Sequence, residues 1–85
     1  MPEISRFLGI VIAMLYRDHE PPHFHAYYGE YEITVGIRDG AVAGTFPGRA
    51  LRHVLEWRDL HQDALIQDWQ LARDHRSLNR IPGLE

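Results

Sequence analysis

Between two turn signals, Gly29-Glu30 and Asp39-Gly40, apolar Tyr31, Ile33, Val35 and Ile37 alternate with Glu32, Thr34, Gly36 and Arg38. A period of two is the signature of a half-buried strand. A two-residue loop with glycine first suits a type II′ turn, so strands at about 23–28 and 31–38 should form a hairpin closed at Gly29-Glu30. That closure dictates a register. Tyr28 faces Tyr31, Tyr27 faces Glu32, Ala26 faces Ile33, His25 faces Thr34, Phe24 faces Val35 and His23 faces Gly36. Phe24, Ala26 and Tyr28 then share the core face with Tyr31, Ile33 and Val35. His23, His25, Tyr27, Glu32 and Thr34 share the opposite face, with Glu32 diagonal to His25 and within reach of it. A slip of one residue would put the whole apolar set in water.

Asp39-Gly40 is a type I′ signal leading to a strand at 41–46. By the same counting, Val42, Gly44 and Phe46 face the core, while Ala41, Ala43 and Thr45 lie beside Gly36 and Thr34. Upstream, residues 7–16 are a nearly unbroken apolar run that reads as one strand buried on both faces, with the C-terminal tail or a second chain covering one of them. From Pro47 the period turns helical, and Leu51, Val54, Leu55, Leu65, Ile66, Trp69 and Ala72 fall on one stripe. Trp57 and Leu60 lie off that stripe. Either the helix breaks near His61-Gln62, with Asp63 as a cap, or these two side chains meet a partner chain. The expected fold is α+β: an antiparallel β-meander of about four strands, with one long or two consecutive C-terminal α-helices packed on one face. It forms a single domain over residues 1–85, with strands within 3–46, a helical segment at about 48–73 and an irregular tail at 74–85.

The 85 residues include no cysteine, which excludes disulfides, thiolate metal sites and a cysteine nucleophile. A reducing cytosol is the expected compartment. No apolar run approaches the ~20 residues that a membrane helix needs. The net charge of −3 is unlike that of a protein that coats nucleic acid. Its distribution matters more. Arg6, Arg17 and Arg38 face Glu3, Asp18, Glu20, Glu30, Glu32 and Asp39 in the first 48 residues, whereas basic and acidic groups balance in the remainder. The acidic excess therefore accompanies the histidines. In the helical segment, Arg49, Arg52 and Arg58 are interrupted by Glu56 and Asp59 and read as a solvated face.

The chemistry concentrates in Asp18-His19-Glu20-Pro21-Pro22-His23-Phe24-His25. The prolines stiffen the approach to the strand, and His23 and His25 then project from one face of it. Three readings follow. His23 and His25 can act as general base and acid in a metal-independent, ribonuclease-like reaction. Glu32 would orient a ring, Arg6 would stabilise phosphate charge, and His19, Tyr27 and Asp18 would bind the substrate. No cofactor is required in that case. Alternatively, His19, His23 and His25 ligate a divalent metal, zinc or nickel, with Asp18, Glu20 or Glu32 completing the set. In the third reading the His/Tyr face packs against a partner.

Three stretches carry a family resemblance. They are Pro2 to Ile12, the Asp18–His25 segment with Tyr28-Gly29-Glu30-Tyr31, and Arg49-Ala50-Leu51 with Glu56-Trp57 through Trp69. Together they resemble the small prokaryotic proteins of domain-of-unknown-function family 4160. Members are regarded as components of type II toxin–antitoxin-like pairs, so the resemblance implies a small cognate protein partner. It supplies no catalytic residues. The expectation is a toxin acting on RNA through His23 and His25. The alternative is a non-enzymatic antitoxin or scaffold whose His/Tyr face binds a protein, a second copy of the chain or a metal.

Overall fold

The computed structural model describes residues 2–84; the sequence expectations for Met1 and Glu85 lie outside them. Five strands come first: β1 (Glu3–Phe7), β2 (Ile10–Ala13), β3 (His23–Tyr28), β4 (Tyr31–Gly36) and β5 (Val42–Thr45). Two helices follow, α1 (Gly48–Leu60) and α2 (Gln62–Arg73). The strands form one antiparallel meander in chain order. The architecture is α+β, and no helix is long and apolar enough to cross a membrane.

The β3–β4 hairpin has the register that its turn dictates, from Tyr28 opposite Tyr31 to His23 opposite Gly36. Gly29, at φ +57°, takes the left-handed position that a glycine-first loop requires. Phe24, Ala26, Ile33 and Val35 are buried, whereas Tyr28 and Tyr31 at the turn are exposed.

Two strand expectations are corrected. The run at 7–16 is not one strand, because Leu8 (φ +52°) and Gly9 (φ +80°) fold it back as a tight turn between β1 and β2. Leucine rarely adopts that conformation, so its side chain gives the turn no sequence signal. The β4–β5 connection is also longer than a two-residue Asp39-Gly40 loop. Gly36 N–H donates to the Ala41 carbonyl and Gly40 N–H to the Gly36 carbonyl, closing a loop over residues 37–40. Thr34 therefore faces Ala43. The displacement is by two residues, which preserves the alternation. Of Val42, Gly44 and Phe46, expected on the core face, only Phe46 is buried; Val42 and Gly44 are exposed, because β5 is the edge strand of the sheet.

The helical segment breaks at His61, whose φ and ψ of −127° and 28° leave the helical region. Asp63 does not cap α2, which begins without a side-chain cap. The break lets Trp57 turn inward. It is fully buried, packs edge-on against Phe24 at 5.6 Å and tilts against Phe7 at 5.4 Å. Each such pair contributes about 0.5–1.5 kcal/mol beyond the area it buries. Leu60, by contrast, is exposed.

The tail beyond α2 has neither helix nor strand, yet it is pinned. Ile81 N–H donates to the Ile4 carbonyl, Trp57 Nε1–H to the Pro82 carbonyl, and Asn79 N–H to Asp68 Oδ1. Buried Ile81 thus joins the core beside β1.

Candidate functional site

The turn after β2 brings Asp18 back over the start of β3. There its carboxylate meets both strand histidines. His23 Nε2 lies 2.9 Å and His25 Nε2 3.1 Å from the same oxygen, Asp18 Oδ2. The other oxygen, Oδ1, accepts the backbone N–H of His19 at 2.8 Å. Alternation along β3 aims the two rings to one side, and Ala13 of β2 and Thr34 of β4 flank His25 as its pairing neighbours. Trp69 of α2 packs against the His23 ring at 5.3 Å.

The ring nitrogens can be assigned from their partners. A carbonyl oxygen only accepts, so His23 Nδ1, 2.8 Å from the Pro21 carbonyl, must carry its hydrogen. Neutral His23 would then turn the lone pair of Nε2 toward a carboxylate oxygen, which is repulsive. The contact is favourable only with a proton between the two atoms or a metal ion among the three groups. His25 poses the complementary problem. Its Nε2 donates to Asp18, while its buried Nδ1 has no hydrogen-bond partner among the described residues and stands 3.6 Å from Glu32 Oε2.

Burial pushes the Asp18 carboxyl up, but hydrogen bonds from His25 and from the His19 backbone, with the charge of His23, outweigh it. The group is held below the usual carboxylate range. Asp18 therefore stays a ligand-competent anion.

The residues named from sequence divide in two. Asp18, His23 and His25 converge, and their ligand atoms all lie within 4.8 Å of one another. Glu32 stands behind His25, and Tyr27 stacks on the His25 ring at 6.4 Å. His19 sits at the rim, with its side chain largely in solvent and its Nε2 3.7 Å from Asp18 Oδ1. Arg6 does not join them. It lies on β1, paired with Glu3 at 2.8 Å.

Beside the cluster is a cavity of about 310 Å³, whose wall includes Leu15, Pro21, Thr34, Ala41, Val42 and Ala43. Its far rim is the 37–40 loop, held by Arg58. The Arg58 guanidinium donates to the carbonyls of Gly36, Ile37 and Arg38 at 3.0–3.1 Å. The expectation that Arg58 belongs to a solvated face is thus corrected. Its partners are backbone carbonyls about twenty positions away, which no side-chain pattern announces.

Three ligands with open positions beside them are a common geometry for a catalytic divalent ion. Ligand atoms about 2.1 Å from one ion lie roughly 3.0 Å apart at right angles and roughly 3.4 Å apart at tetrahedral angles. Two of the three separations, 2.9 and 3.1 Å, approach the first arrangement, and the third lies within 4.8 Å. The Pro21 carbonyl orients His23 for this role, and Glu32 stands where the second nitrogen of a ligating His25 would donate.

No curated protein and no solved structure matches the chain. The family model described as "Domain of unknown function (DUF4160)" matches residues 9–70, which span β2 to β5, the histidine cluster, α1 and most of α2. The chain belongs to that family.

Proposed function

We propose that Asp18, His23 and His25 hold one divalent transition-metal ion, zinc or nickel, and that the chain performs metal-assisted hydrolysis at its open coordination positions. The observation that carries this reading is the convergence of two imidazole Nε2 atoms on one carboxylate oxygen, with the other nitrogen of His23 fixed to a backbone carbonyl. An ion there resolves the facing lone pairs and gives the orphaned Nδ1 of His25 a hydrogen to donate to Glu32. Bound metal supplies a water of lowered pKa and a Lewis acid.

The metal-independent acid/base reading fits this geometry less well. Proton transfer to substrate needs a ring nitrogen facing the substrate. Three of the four nitrogens of His23 and His25 face protein oxygens at hydrogen-bond distance, and the fourth is buried. In the toxin–antitoxin-like pair that the resemblance implies, this chain is the effector and the cognate protein its inhibitor.

Native mass spectrometry and calorimetry with zinc and nickel test the proposal. One ion per chain is expected, with affinity falling at least about tenfold in His23→Ala and Asp18→Asn. Expression without the partner should arrest growth, and Asp18→Asn should relieve it. Binding of no ion by a folded chain overturns the metal reading; wild-type expression without effect on growth overturns the effector role.

A further inference from the structure

We infer that the cavity beside Asp18, His23 and His25 receives a small uncharged molecule with an apolar body, which presents a single oxygen or nitrogen donor to the ion. This inference rests on the metal reading above and adds the class of ligand. Besides the ligands, the wall includes Leu15, Pro21, Ala41, Val42 and Ala43, with Thr34 contributing a hydroxyl. A cavity of about 310 Å³ has room for a body of about one ring.

Charge decides against an anionic occupant. The carboxylates on the wall are Asp18 and Asp39, and no arginine lines it. The arginines whose partners are defined are committed elsewhere. Arg58 is spent on three carbonyls and Asp59, Arg73 pairs with Glu20, and Arg6 and Arg80 pair with Glu3. A phosphodiester would lose its hydration against apolar groups and two carboxylates, with the metal ion, the Thr34 hydroxyl and His19 at the rim as the groups that could offset it. An uncharged ligand meets no such penalty. Its apolar body displaces water from Leu15, Val42 and the alanines, while the ion takes the polar end.

The rim favours the same class. A Cβ at Gly36 would overlap the Asp39 carboxylate, which accepts the Ala41 N–H at 3.0 Å. The far wall is thus fixed by hydrogen bonds made within the loop, and Asp39 is a strut of the rim. A preformed apolar wall facing a polar anchor selects by shape and hydrophobicity.

The full chain loaded with cobalt(II) reports both levels separately. Appearance of visible absorption bands at one cobalt per chain tests the metal site alone. Imidazole, 4-phenylimidazole and dimethyl phosphate are then titrated against those bands. The phenyl compound should bind at least about tenfold more tightly than imidazole, because the ring leaves water for the apolar wall. Dimethyl phosphate should leave the bands unmoved at concentrations that saturate with 4-phenylimidazole. Ala43→Leu, which fills the cavity from β5, should bring the two imidazoles within about threefold of each other. Cobalt bands with equal affinity for the two imidazoles, or with dimethyl phosphate binding more tightly than 4-phenylimidazole, overturn the cavity inference and leave the metal reading standing. Absence of stoichiometric bands overturns both.

Discussion

At His23 a single acceptor, the Pro21 carbonyl, decides which nitrogen holds the proton and so what the opposite nitrogen can do. Asp68, on α2, poses a different problem of charge. It is fully buried, its Oδ1 accepts the Asn79 N–H, and its Oδ2 has no hydrogen-bond partner among the described residues. Burial lifts its carboxyl above the ordinary value of 3.8, against the pull of the Asn79 N–H. A raised acid favours the protonated folded state. Its contribution is fully present below 3.8 and is lost as pH rises through the folded value. Asp68→Asn keeps an oxygen for Asn79 and cannot ionise. Urea unfolding should find it about 1 kcal/mol more stable than the parent at pH 7, with the gap closing toward pH 3. A variant equally destabilised at both pH values would show that charge is not what burial penalises here.

At the scale of elements, the 37–40 loop depends on a helix distant in sequence. Arg58 of α1 spans three carbonyls of this loop and of the β4 end with a planar fork that lysine lacks. Arg58→Lys keeps the charge and loses the fork, so stability should fall by ~1–2 kcal/mol. Amide exchange at residues 36–41 should quicken selectively, by about tenfold or more, while β1 and β2 stay protected. Uniform acceleration throughout the sheet would instead mark Arg58 as a global packing residue. The same loop explains why the β4–β5 register was only half legible. Asp39-Gly40 correctly marks a reversal, but the turn is widened by the Asp39 carboxylate capping Ala41 and by Arg58 holding the carbonyls. Neither contact belongs to the local dipeptide. For the β3–β4 hairpin, the local turn and the alternating strand point to one answer, and all six pairs follow it.

Across the whole molecule, the two ends of the chain meet at Glu3. Its carboxylate takes hydrogen bonds from Arg6 on the same strand and from Arg80 of the tail, and these hold its pKa at about 2 against an ordinary 4.5. A lowered acid contributes stability above its unfolded value and loses it as pH falls through the folded one. Thermal melts should therefore show an acid-side loss between about 4.5 and 2. Glu3→Gln should flatten that limb, and salt should weaken it, because the groups face solvent. An acid limb unchanged in Glu3→Gln would assign the loss to other carboxylates.

The amino-acid sequence by itself determined the α+β class, the β3–β4 pairing and the shared face of His23 and His25. Each follows from periodicity and turn chemistry acting within a few residues. It also brought Asp18, His19 and Glu32 into the candidate set through charge and proximity. Only the tertiary structure decided that Leu8-Gly9 reverses the first apolar run and that Arg6 faces Glu3. The same holds for Arg58 building the cavity rim and for Asp18, rather than His19, sitting between the two imidazoles. Those outcomes depend on where a carbonyl or carboxylate from a distant segment arrives. Side-chain periodicity carries no information about that, because every residue type presents the same backbone carbonyl.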